Sequence, residues 1–202
     1  MDQSVLDAME KWPNVPAAYG WLSLNQAGQW RFHPGGAYQR GATGESITNT
    51  QLIEFIGRNY THDERGCWFF QNGPQRVFVG LDAAPWVAYL DEELQLRKQN
   101  NTRIESVSHW YIDDEGKLYA LTPKGMVLIQ GRDVQTLFEQ FMLKQAPDAM
   151  PITLQEEHLT QVIEQGITLR LTHAQENYAA PFSTIKQGEI ETIGGFTAVP
   201  KP

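Results

Sequence analysis

The chain is poor in the features that would announce a chemistry. It holds one cysteine, Cys67, among its 202 residues. A single thiol can neither close an internal disulfide nor build a thiolate metal site, so a reducing compartment and a small packed side chain are expected rather than a reactive group. Basic residues are outnumbered, 16 Lys and Arg against 24 Asp and Glu, for a formal charge of −8. That balance argues against a grip on long DNA or RNA, which needs clustered cations, and leaves room for a single nucleotide. No run of about 18 apolar residues occurs. The opening MDQSVLDAMEKWPNVP also lacks a basic region followed by an apolar one, so no membrane association is expected and the cytoplasm is the natural location.

Catalytic and cofactor fingerprints are missing too. There is no G-x-S-x-G, no G-x-x-x-x-G-K-[ST] and no G-x-G-x-x-G. The histidines, His33, His62, His109, His158 and His173, show no ligand spacing such as H-x-x-H, so neither metal nor cofactor is expected. Two acidic clusters, HDERG from His62 and DDEG from Asp113, read as turns, where Asp and Gly are selected for backbone reasons.

What is present points to architecture. Hydrophobic residues make up 41% and aromatics 11%, enough for a folded core. Three stretches place a polar turn and a glycine between alternating apolar flanks: WLSLNQAGQWRF (21–32), THDERGCWFF (61–70) and WYIDDEGKLYAL (110–121). Each predicts a β-hairpin, with Gly28, Gly66 and Gly116 at positive φ. After the first comes ITNTQLIEFIGRNY, a helix that Thr48 or Asn49 can cap. After the third come a strand, Met126 to Gln130, and a helix capped by Asp133 that runs through Phe141 and Met142. A further helix is predicted from a capping box at Thr153 and Glu156 to Gly166. ITLRLTH and GEIETIGGFTAV read as strands, and AVPKP as a frayed tail.

Short, hairpin-linked strands favour an antiparallel, hairpin-rich α+β fold with a few helices over a doubly wound parallel sheet. Hairpin followed by helix occurs twice, which predicts an internal duplication. The organisation expected is an N-terminal segment (1–18), a first α+β half (19–98) and a second (99–202), with the polar stretch Asp91 to Ser106 as the joint. One continuous sheet through both halves is the competing picture.

The series Gly28 to Trp30, Leu52 to Ile56, Arg65 to Trp68, Arg76 to Val79 and then Asp82, Ala84, Pro85 and Trp86 resembles a bacterial domain-of-unknown-function family, number twelve-eighty-five. The resemblance covers about residues 20 to 90. It implies a duplicated α+β core whose second half is like a pleckstrin-homology barrel, a nucleotide-like ligand between the halves, and a signalling role. Where that family carries a T-P-V-E-K segment, this chain has Asn72, Gly73, Pro74, Gln75 and Arg76, without the acid.

Within the aromatic passage 62–90, RVFVGL alternates Val77, Val79 and Leu81 against Arg76, Phe78 and Gly80. Asp82 can form an Asx-turn and Pro85 stiffen the bend that holds Trp86. With Arg58 and Arg65 near in sequence, these residues sketch an aromatic and guanidinium pocket for a planar anionic ligand, although core packing explains the rings as well. The candidate ligand-binding residues are thus Arg76, Trp86, Trp110, Arg58 and Arg65. The leading expectation is a non-enzymatic ligand-binding or regulatory module. A protein-interaction scaffold with a partner chain is the alternative, and an enzyme using His62 and Asp63 the third.

Overall fold

Four tight turns are built alike. In each, a carboxylate or amide oxygen accepts hydrogen bonds from the backbone N–H groups two and four residues on. The pairs are Asn25 with Ala27 and Gln29 at 3.1 and 2.9 Å, and Asp63 with Arg65 and Cys67 at 3.0 and 2.9 Å. Asp91 does the same with Glu93 and Gln95 at 3.0 and 2.9 Å, and Asp113 with Glu115 and Lys117 at 3.0 and 2.8 Å. The fourth residue of each turn sits at positive φ: Gly28 at 76°, Gly66 at 72°, Gly116 at 78° and Leu94 at 57°. Three of these turns are those the sequence predicts. The fourth lies in the stretch whose composition reads as a joint.

The computed structural model describes residues 1–146, 148–174 and 176–202. They form two compact units, Met1–Pro85 with Gly195–Pro202, and Trp86–Gly194.

In the first unit α1 (Gln3–Lys11) precedes β1 (Ala18–Leu24), β2 (Trp30–Phe32), β3 (Glu45–Ser46), α2 (Thr50–Arg58), β4 (Tyr60–His62), β5 (Trp68–Asn72) and β6 (Gln75–Leu81). The strands lie in the order β3-β2-β1-β6-β5-β4. Two antiparallel meanders therefore flank α2 in the chain, and they join where β6 runs parallel to β1. Asn49 settles which residue caps α2, its side-chain oxygen accepting from Leu52 N at 3.0 Å.

The second unit carries β7 (Trp86–Leu90), β8 (Leu96–Lys98), β9 (His109–Ile112), β10 (Leu118–Thr122), β11 (Gly125–Ile129), α3 (Gly131–Gln140), β12 (Phe141–Leu143), β13 (Ile152–Thr153), α4 (Glu156–Gln165), β14 (Leu169–His173), β15 (Ala180–Thr184) and α5 (Ile190–Gly194). Its sheet order is β13-β12-β14-β15-β9-β10-β11-β7-β8. The run β11-β10-β9-β15-β14-β12 repeats the first unit's β3-β2-β1-β6-β5-β4, with a helix between the third and fourth strands in each. The central parallel pair recurs as β9 and β15, in the same register: Leu22 opposite Val79 in one unit, Trp110 opposite Phe182 in the other. The fold is α+β, and the repeated topology is what an internal duplication predicts. The sheets are mixed rather than antiparallel throughout, because closing each repeat sets its outer meanders side by side and makes β1·β6 and β9·β15 parallel, as β7·β11 also is.

Several elements differ from the sequence reading. Phe141 and Met142 leave the helix and pair with His173 and Thr172 as β12. Asp133 lies inside α3, where it accepts from Leu90 N at 3.1 Å instead of capping. α4 begins at Glu156, capped by Gln155 and His158, while Thr153 belongs to β13. GEIETIGG forms a short helix, α5, and the chain then returns to the first unit. There Leu81 N donates to Ala198 O at 2.8 Å and Thr197 N to Gly66 O at 3.0 Å, so AVPKP is docked up to its last residues. The Gly-rich stretch 33–46, whose composition reads as a mobile surface loop, is held instead, since Asp82 accepts from the Tyr38 hydroxyl and from Gly41 N, both at 3.0 Å. Cys67 is buried and unpaired.

Candidate functional site

In the first unit the three candidate arginines have separate engagements. Arg58, exposed, lies 3.2 Å from Asp2. Arg65 pairs at 3.3 Å with Asp63. Arg76 stacks 4.9 Å over the Phe69 ring. Phe69 meets Phe78, and Phe78 stacks on Tyr19 at 4.6 Å. A guanidinium therefore does cover an aromatic ladder on this sheet, while the aromatic members themselves are largely enclosed.

Trp86 and Trp110 belong to the second unit. Trp110 is fully enclosed, its indole N–H donating to Tyr178 O at 2.9 Å. Trp86 lies in β7, with its indole N–H on Lys124 O at 2.8 Å. The group it faces is Lys98, whose ammonium sits 4.2 Å from the centre of the ring.

Strand pairing explains this placement. Lys98 is directly opposite Ala88, and Trp86 is the diagonal neighbour two residues along β7 on the same face. The small Ala88 side chain leaves room for a long one opposite it, and Lys98 is buried there. Lys98 is only 4% exposed. Among the described residues its ammonium has no hydrogen-bond acceptor and no carboxylate within ion-pair distance. Burial, followed by the nearby Lys124, brings its pKa down to about 8, and Glu105 acts in the opposite direction.

A small cavity of about 30 Å³ opens beside Lys98, lined also by Arg103, Ile104, Glu105, Ser106, Thr122, Pro123 and Lys124. That is the share of roughly one water molecule, so it would admit the tip of a ligand and not its body. Lys124 stands at the rim, 3.6 Å from Glu105, with both side chains exposed. An anionic oxygen entering the cavity would meet a partly desolvated cation, where charge attraction is stronger than at an open surface. Among the described residues no three His, Cys, Asp or Glu side chains gather as a metal site would need.

Residues 1–201 match the family model DUF2944, described as "Protein of unknown function (DUF2946)". The chain belongs to that family. Its structure is similar to the crystal structure of a DUF1285 family protein from Silicibacter pomeroyi DSS-3, with a TM-score of 0.53 and 14% identity, covering 88% of this chain and 87% of the other. The likeness carried by residues 20 to 90 thus extends through both units, and at this identity it concerns the fold. No curated protein matches the sequence. No helix among the described residues is long and apolar enough to cross a membrane.

Lys98 is absent from the sequence-derived candidates because DEELQLRKQ reads as a polar joint. One signal was available: Leu96 and Lys98 are two apart, and a strand that turns Leu96 inward turns Lys98 inward with it.

Proposed function

We propose that the protein is a non-catalytic, ligand-binding regulatory module whose ligand is small, anionic and nucleotide-like, bound by its anionic end at Lys98. The observation that carries this reading is the lysine itself: a side chain only 4% exposed, its ammonium without an acceptor among the described residues and held against Trp86, beside a cavity lined also by Lys124 and Glu105. A buried charge without a partner is costly, and it persists where binding uses it. Pro123, exposed at the cavity, offers apolar surface for a planar body. The formal charge of −8 favours a single small anion over a polyanionic chain. The buried free thiol of Cys67 fits a cytoplasmic setting.

The test is thermal melting and tryptophan emission of the full chain against inorganic phosphate, acetate and a panel of nucleoside mono- and diphosphates. A ligand that prefers the native state raises the melting temperature. One class of anion should do so saturably, with a response lost in Lys98→Met and weakening as the pH rises through 8. If no anion shifts either signal, or Lys98→Met responds like the unaltered protein, the reading is wrong.

A further inference from the structure

An amine is a nucleophile only in its neutral form, because an ammonium has no lone pair to offer. Two features favour the neutral form of Lys98: its side chain is 4% exposed with no acceptor among the described residues, and Lys124 adds a like charge nearby. With a pKa of about 8, about a quarter of it is free amine at pH 7.5, against about a thousandth of an ordinary lysine. Glu105 acts the other way and is itself drawn to Lys124, 3.6 Å away.

The cavity beside Lys98 selects what such an amine can take up. Its lining carries three cationic side chains, Lys98, Arg103 and Lys124, against the single carboxylate of Glu105. Acylation would leave a neutral amide there, and an aldehyde would leave an imine; neither brings negative charge to the excess of cations. Carbon dioxide does. With Lys98 as a carbamate, the same lining holds two cations and two anions. The size agrees as well, since a cavity of about 30 Å³ accommodates the two oxygens of a carboxyl group with no larger body behind them. Ser106, also in the lining, brings a hydroxyl that can donate to such an oxygen.

We infer that Lys98 is a carbon dioxide acceptor, modified to a carbamate that the cations of this cavity hold. The amine lone pair attacks the carbon and forms the N–C bond, one C=O electron pair moves to oxygen, and the nitrogen loses a proton to solvent. A neutral amine and carbon dioxide thus give a carbamate anion and one proton. Lys124 acts at both ends of this step, favouring the neutral amine before it and attracting the carbamate after it. The modification shares Lys98 with the anion site proposed above but leaves a covalent signal, so either can fail without the other.

The test equilibrates the full chain with carbon-13 bicarbonate and carbonic anhydrase at fixed dissolved carbon dioxide, then traps carbamates as ethyl esters with triethyloxonium ion for peptide mass spectrometry. Label on Lys98 should exceed that on the exposed Lys201 by at least about tenfold at pH 7.5. It should grow as the pH is raised at constant carbon dioxide, because the step releases a proton. Urea unfolding should erase the preference, since Lys98 then becomes an ordinary lysine. Lys124→Gln, at an exposed position, should weaken the labelling of Lys98 by about threefold. No label on Lys98, equal label on Lys201, or a preference that survives unfolding overturns the inference, and none of these comparisons depends on a variant that folds. Unchanged labelling in Lys124→Gln overturns it too, because the cation cluster would then have no part in holding the carbamate.

Discussion

Leu94 holds, at φ 57°, the turn position that Gly116 holds at φ 78°, each three residues after an aspartate whose carboxylate gathers the turn's N–H groups. A side chain with a Cβ costs about 1 to 2 kcal/mol in the left-handed region, and glycine gives back roughly half of that in chain entropy. Leu94 is also exposed, so little packing is lost. Leu94→Gly should therefore stabilise the protein by about 0.5 to 1 kcal/mol. The check is a higher urea midpoint at unchanged slope.

Lys98→Met should stabilise the protein near neutrality while removing the anion response, the usual exchange at a site that keeps a costly group for function. The pH dependence identifies the cause. Folded, the lysine titrates near 8, and unfolded near 10.5. Between these values the unfolded chain binds more protons, so stability rises with pH across that window; below it both states are charged and the burial cost is constant. Urea unfolding from pH 7 to 10.5 should show this rise in the unaltered protein and not in the variant. The gap at pH 7 should be on the order of 2 kcal/mol.

Gly80→Ala should be strongly felt although the backbone there is ordinary. A Cβ at this position would fall 2.0 to 2.5 Å from three ring atoms of Tyr38, which is itself tied to Asp82. Overpacking of this kind costs roughly 1 to 3 kcal/mol. In a Tyr38→Ala background the same change should cost well under half as much. A double-mutant cycle that shows simple additivity contradicts the clash.

Trp110→Phe removes ring volume from a fully enclosed place and strands the Tyr178 carbonyl that the indole N–H serves. A loss of about 2 to 3 kcal/mol is expected from the two effects together. Equilibrium unfolding followed by circular dichroism measures it directly.

The parts of the fold legible in the sequence were those with a local cause. Asn25, Asp63 and Asp113 with their glycines declare hairpins because side chain and backbone conspire within five residues. The repeated order of hairpin and helix likewise survives in the strand order of both sheets. Leu94 hid the fourth turn, since nothing in a leucine suggests positive φ. Phe141 and Met142 continue a helical apolar spacing and become a strand only because β14 offers a ladder, a tertiary cause that periodicity does not see. The candidate site was legible in one member. Trp86 stood out as a ring at a bend, whereas Lys98 looked solvated until Ala88 was placed opposite it.

The docking of Ala198 on Leu81 has a consequence for the order of events on the ribosome. The second unit is inserted into the first, so β6 emerges, and the entire 86–194 segment follows, before the carbonyl that caps Leu81 exists. At ordinary elongation rates that delay is on the order of ten seconds. During it Leu81 N and Gly66 O of the nascent first unit lack their partners, while the inserted unit is synthesised whole and free to complete itself first.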